Sequence, residues 1–122
     1  MLLRLSAMLA LSLTIISAAA HADGDAIHGQ EIYESRCVAC HSVDANRVGP
    51  RHRGVFGRPA GSLTDYNYSK ALQAAQFTWN AETLDKWLTN PQAFVPGQKM
   101  NFKVVNSQDR ADIIAYLKTL SE

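Results

Sequence analysis

Cysteine is scarce in this 122-residue chain. There are two, Cys37 and Cys40, and no second cysteine/histidine cluster accompanies them. That argues against a structural zinc site, because such a site takes four ligands. Methionine is nearly as scarce, with Met1, Met8 and Met100. Neither sign of charge prevails. Twelve lysines and arginines face eleven aspartates and glutamates, so net charge says little about partners. No internal repeat, low-complexity tract or strand-like alternation is found. The longest apolar stretch, Leu5 to Ile16, is shorter than the roughly 20 residues that a membrane-spanning helix needs.

What is present is Cys37-Val38-Ala39-Cys40-His41. Two cysteines two residues apart, with a histidine directly after, form the attachment signature of c-type haem. The spacing has a chemical reason. Each thiol adds to one haem vinyl group to form a thioether, and two intervening residues let both sulfurs reach neighbouring vinyls from one helical turn. His41 then turns its ring to the iron as an axial ligand. With both thiols used, none remains for a disulfide. The competing readings lack context. A redox C-x-x-C pair needs a thioredoxin-like βαβ setting, and zinc needs a fourth ligand beyond Cys37, Cys40 and His41.

Residues 1–22 read as a secretory signal peptide. Arg4 supplies the positive region, Leu5 to Ile16 the apolar region, and Ala20-His21-Ala22 a small-x-small site, predicting cleavage before Asp23. An uncleaved signal anchor is the alternative. The absence of a cysteine near the cleavage site argues against a lipoprotein. Residues 23–122 are then one small domain. A protein core of that size is modest, and a buried haem adds apolar volume to it. Export agrees with the chemistry, since bacteria attach c-type haem outside the cytoplasm, and the expected compartment is the periplasm.

Charge is unevenly spread. From Arg36 to Arg58 there are five arginines and one acid, Asp44, a net +4. Such asymmetry can steer an acidic partner. Equally, some of these arginines can neutralise buried haem propionates.

The periodicity predicts an all-α domain. Asp25 is placed to cap a first helix running into the Cys37 motif. Residues 42–66 read as irregular. A loop that long suits a chain wrapping a cofactor better than an ordinary compact domain. A short helix is expected over 69–75. Asn80 is expected to cap a helix over 81–90, halted by Pro91. Ser107 is expected to cap the last helix, with Ile113, Ile114, Leu117 and Leu120 as its buried stripe.

With residues 1–22 removed, Met100 is the one remaining methionine, 59 residues beyond His41 and just after Pro96-Gly97. A lone methionine often fills a core. Its singularity and loop setting favour it as the second axial ligand. Thioether sulfur is soft, favours ferrous iron and raises the reduction potential. His28 and His52 are the rival ligands.

Taken together, the chain resembles the class I cytochromes c, in the group of bacterial cytochrome c2 and mitochondrial cytochrome c. The resemblance rests on the Cys37–His41 motif, Gly49-Pro50, Phe56-Gly57-Arg58, Trp79, Asn90-Pro91, Pro96-Gly97-Gln98-Lys99-Met100 and Ile114-Ala115-Tyr116-Leu117, in order. It implies an all-α cytochrome c fold around one covalent haem c. It implies that the Pro50 carbonyl accepts a hydrogen bond from His41, that Arg58, Tyr68 and Trp79 bond or shield a propionate, and that Met100 is an iron ligand. It further implies that Gly29 and Tyr116 lie where first and last helices cross. Trp87, Leu72, Gln98 and His52 depart from residues usual in the mitochondrial group, where His52 stands in place of a leucine that often packs on the haem.

The function implied is a soluble, monomeric electron carrier, not an enzyme, with no nucleic-acid partner. It would take one electron from a dehydrogenase or quinol–cytochrome c reductase and pass it to an oxidase, peroxidase or reaction centre of a respiratory or photosynthetic chain. The alternatives are a dedicated cytochrome subunit of a periplasmic dehydrogenase, or a small haem peroxidase or gas sensor. The last needs an open sixth position, which ligation by Met100 closes.

Overall fold

The computed structural model describes residues 23–121. The proposed signal peptide, residues 1–22, lies outside the described residues. Helix α1 spans Ala26–Arg36, α2 Lys70–Gln73, α3 Ala81–Thr89, α4 Pro91–Phe94 and α5 Ser107–Thr119. The one β feature among the described residues is an isolated antiparallel bridge between Pro59 and Thr78.

Local chemistry sets the helix ends. The Asp25 carboxylate accepts from the Ile27 and His28 amides at 2.9 and 3.2 Å, satisfying donors that the first turn of α1 leaves open. Asn80 and Thr83 form a reciprocal capping box at the start of α3. Asn90 then serves twice, closing α3 and capping α4 through the Ala93 amide. Pro91 therefore does more than halt α3. It opens α4, because a first helical position needs no N–H and suits a fixed φ. The cap of α5 also differs from expectation. Asn106 Oδ1 accepts from the Asp109 amide at 3.0 Å, which moves the cap one residue upstream and makes Ser107 the first helical residue.

Helix α1 buries Gly29, Ile32 and Tyr33 against the α5 face formed by Asp112, Ile113, Ile114 and Leu117. The backbones nearly touch. A Cβ on Gly29 would lie 1.9 Å from the Asp112 carbonyl oxygen. The glycine meets Asp112, and one turn further along α5 Tyr116 packs its ring on Tyr33 with centroids 5.2 Å apart, so Gly29 and Tyr116 both lie at the helix crossing, as expected. Trp79, Leu84, Leu88, Val104 and Leu120 complete the core.

The irregular stretch 42–66 is held by specific bonds. His52 and Arg53 amides donate to the Ser42 and Val43 carbonyls at 3.1 and 2.8 Å, and the Gly54 amide donates to Leu120 O at 2.6 Å. Arg51 makes a two-pronged bond to Asp65 at 2.9 and 2.8 Å, and the Tyr66 hydroxyl donates to Val48 O at 2.6 Å. On the far side, Gly57 and Ala60 amides donate to Trp79 and Phe77 carbonyls at 2.7 and 2.9 Å.

One buried charge ties the termini together. Asp112, 2% exposed, accepts from the Asp25 amide at 2.8 Å, from Gln108 at 2.9 Å and pairs with His28 Nδ1 at 2.7 Å. Burial pushes its carboxyl up, but the His28 bond and the two other donors more than offset this and hold it below 3.8. Half-exposed His28 is raised above 6.5, chiefly by the Asp112 bond. Asp112 thus contributes stability that is present above pH 3.8 and lost as pH falls through its lowered value. The His28 contribution is complete below pH 6.5 and lost as pH rises through its raised value. Asp112→Asn is expected to lower stability by about 1–3 kcal/mol near pH 5.5. It should also flatten both flanks of the stability profile, as urea unfolding across pH 3–8 would read. A profile that keeps its wild-type shape would remove this pair as its origin.

Candidate functional site

The motif begins where α1 ends. The Cys40 and His41 amides both donate to the Cys37 carbonyl, at 3.2 and 2.9 Å, so the chain makes one further turn and presents both sulfurs and the imidazole together. The two thiols are free, Cys37 half-buried and Cys40 exposed. Burial pushes the Cys37 thiol up to about 11. It is therefore a neutral thiol at pH 7, whereas redox and metal-binding cysteines act as thiolates in sites that depress this value. Among the described residues no cluster of three or more histidines, cysteines and carboxylates stands ready for a metal ion.

His41 Nδ1 lies 2.9 Å from the Pro50 carbonyl oxygen. A carbonyl only accepts, so Nδ1 carries the proton and Nε2 keeps its lone pair, the arrangement that metal-ligating histidines use. Burial pushes His41 below the ordinary histidine value, although the Pro50 bond opposes this, so the ring is neutral at pH 7 as a ligand must be. Gly49 is required here. A Cβ on it would meet the His41 ring at 2.1 Å.

The rival histidines are otherwise engaged. His28 is bound to Asp112 on the α5 side of α1. His52 stacks on His41, with centroids 4.0 Å apart and planes 20° apart, and its Nδ1 is 2.9 Å from the Tyr33 hydroxyl. Burial first, then the neighbouring His41 and Arg58, push His52 well below the ordinary histidine value.

The remaining predicted residues fall into three places. Arg58 and Trp79 are neighbours, the Trp79 amide donating to Arg58 O at 2.9 Å, and Arg58 Nη2 donates to Arg51 O at 2.8 Å. Tyr68 is buried, and its hydroxyl accepts from the Leu63 amide at 3.4 Å. Met100 lines a groove with Asn90, Gln98, Lys99 and Phe102, and no hydrogen bond joins it to His41. Gln98, which stands where a propionate-binding threonine is usual, turns instead to the Met100 amide, which donates to its Oε1. Trp87 packs edge-on against Trp79 at 5.3 Å.

The arginine-rich segment is largely spoken for within the chain. Arg36 pairs with Asp109 at 3.4 Å, Arg51 with Asp65 at 2.8 Å and Arg53 with Asp44. Arg47 donates to the Val38 carbonyl. These bonds hold loops together, and the three ion pairs offset part of the segment's positive charge. These pairings join residues 9, 14 and 73 positions apart, beyond the reach of one helical turn, so the sequence does not specify them. The lone histidine departing from an apolar position, His52, was the one signal that could have drawn attention to the stacked pair.

Taken together, two free thiols, an imidazole with one free nitrogen and a buried aromatic surround fit covalent haem. Comparison with known proteins agrees. Residues 26–121 match the family described as cytochrome c. A cytochrome c2 from Rhodomicrobium vannielii is 46% identical over 107 residues, covering 84% of this chain and 85% of that protein. A cytochrome c from Euglena viridis is 45% identical over 102 residues, covering 81% of this chain and all of that protein. The solved structure of cytochrome cH from Methylobacterium extorquens superposes with a TM-score of 0.75 at 42% identity, covering 79% of this chain and 99% of that one.

Proposed function

The chain belongs to the cytochrome c family, and from that premise we propose a periplasmic one-electron carrier whose haem iron is held by His41 and Met100. Membership brings the all-α cytochrome c fold, one covalent haem c, and the role of an electron carrier working with redox partners, not of an enzyme. The finer reading is carried by one observation, the His41–Pro50 bond that leaves Nε2 free to ligate.

When bound, haem supplies a ferric/ferrous couple. The chain's own residues do the rest. Cys37 and Cys40 tether the group through thioethers, and Pro50 orients the His41 ring and increases its basicity. Met100, held on an irregular segment by Gln98, supplies a soft sixth ligand that favours the reduced state. Arg58, Tyr68 and Trp79 shield a propionate. A filled sixth position suits passage of one electron and excludes substrate, so the peroxidase and sensor alternatives are disfavoured. The signal-like residues 1–22 support export to the periplasm. Donor and acceptor are redox proteins, a dehydrogenase or quinol-oxidising complex on one side and an oxidase, peroxidase or reaction centre on the other. Contacts with them are brief and small, as a shuttle requires.

The test is an absorption spectrum of the purified, periplasmically expressed protein, oxidised and reduced, with a haem-extraction control. A sharp low-spin ferrous spectrum, the weak red band of ferric methionine ligation and haem that resists extraction are expected. Cys37→Ser and Cys40→Ser should each impair covalent attachment. Extractable haem in the unsubstituted protein would overturn the reading, and a high-spin spectrum would move it to an enzyme or sensor.

A further inference from the structure

We propose that His52 is a positioning residue for His41, a flat wall that sets the rotation of the axial imidazole. This rests on His41 being an iron ligand and adds a residue to that reading. The His41 ring has one hydrogen bond, Nδ1 to Pro50 O at 2.9 Å. One bond anchors one ring atom, and the terminal torsion of a histidine is broad, so the ring can still tilt about that point. Two neighbours close off the tilt. On one side is the Gly49 backbone, where even a Cβ would come within 2.1 Å of His41 Cε1. His52 lies across a ring face, with centroids 4.0 Å apart and planes within 20°, which is van der Waals contact with no room for another layer of atoms.

A wall must itself be fixed. The His52 amide donates to Ser42 O at 3.1 Å and the next amide, of Arg53, to Val43 O at 2.8 Å, so its backbone is bound to the two residues that follow His41. Its ring is held through Nδ1 by the Tyr33 hydroxyl at 2.9 Å. Tyr33 is 2% exposed and packs on Tyr116 of α5. The orientation of His41 is thereby referred back to the α1–α5 contact.

Imidazole orientation is read by the spread and order of haem methyl shifts in the NMR spectrum of the ferric protein. His52→Leu and His52→Phe are compared in a Tyr33→Phe background, so that no buried hydroxyl is left without a partner. The leucine variant should keep its ligands but change the methyl pattern. It should also favour ferrous iron about threefold, because an aliphatic wall solvates the ferric charge less well than a polar ring. That is about 30 mV upward at about 59 mV per tenfold for one electron. The phenylalanine variant, which restores a flat ring, should return the methyl pattern to that of the unsubstituted protein. A leucine variant with an unchanged pattern, or a phenylalanine variant altered as much as leucine, overturns the proposal. Should the variants not fold, the unsubstituted ferrous protein decides, through nuclear Overhauser contacts between the His41 and His52 rings. Their presence supports the stack and their absence overturns it. An unsubstituted protein without the histidine/methionine spectrum would instead sink the functional reading, which separates the two failures.

Discussion

A Met100→Ala protein is expected to keep its covalent haem and lose its sixth ligand. The two proposed attachments are chemically independent, since the thioethers would lie at Cys37 and Cys40 and Met100 stands 59 residues beyond His41. Loss of a soft thioether removes what favours ferrous iron, so the reduction potential should fall. The fall should be on the order of 0.2 V, a fraction of the roughly 0.8 V that axial-ligand choice spans. The vacated position should also admit carbon monoxide, which the unsubstituted ferrous protein should bind weakly. Spectroelectrochemistry and a carbon monoxide titration check both. An unchanged potential together with an unchanged red band would remove Met100 from the ligand set. The surrounding geometry should survive the change, because Gln98 binds the backbone amide of residue 100 and not its side chain.

Gly29→Ala should be severely destabilising for a single added methyl group. Its Cβ would lie 1.9 Å from the Asp112 carbonyl oxygen and 2.4 Å from the carbonyl carbon. These are backbone atoms inside α5, so no rotamer change relieves the clash and the two helices must separate. Separation strains the Asp112 bonds to Asp25 and His28 and loosens Tyr33 against Tyr116. A cost of about 3 kcal/mol or more is expected, which lowers the melting temperature by roughly 15 °C for a domain of this size. Gly57→Ala is the control. It has a φ of +94° but nothing within 4 Å of its Cβ, so its cost is confined to about 1–2 kcal/mol of backbone strain. Calorimetry on the two variants checks the difference. Equal melting temperatures would show that α1 and α5 are not so closely locked.

Which parts were legible beforehand follows from the range of the interactions involved. The caps at Asp25 and Asn80 could be read because cap and capped amides lie two or three residues apart. The last helix is capped at Asn106 where Ser107 is expected, and the short helix capped by Asn90 is unforeseen, for a related reason. Adjacent residues competed for the first cap, and the helix-starting role of Pro91 was hidden behind its helix-stopping one. Gly29 and Tyr116 do lie at the α1–α5 crossing, but the contact of Gly29 with the Asp112 backbone is not legible beforehand, because helix register across 83 residues of chain is set by packing and not by local preference.

The chemistry of the site was written in the order of residues. Two thiols and an imidazole within five positions are brought together by one turn of backbone, so Cys37, Cys40 and His41 can be proposed as the site without a fold. The all-α class was likewise determined by helical periodicity and the lack of strand alternation. Only the tertiary structure decided the rest. It drew Asp65, Asp44 and Asp109 onto the arginines that looked like a steering surface, and it turned Gln98 inward onto the Met100 amide. It laid His52 on the face of His41 with Tyr33 behind it. The physical reason is the same throughout. Covalent spacing along a chain fixes which groups can meet within a turn. Which distant groups meet is set by the burial of α1 against α5 and by bonds between loops, and neither is visible in local sequence.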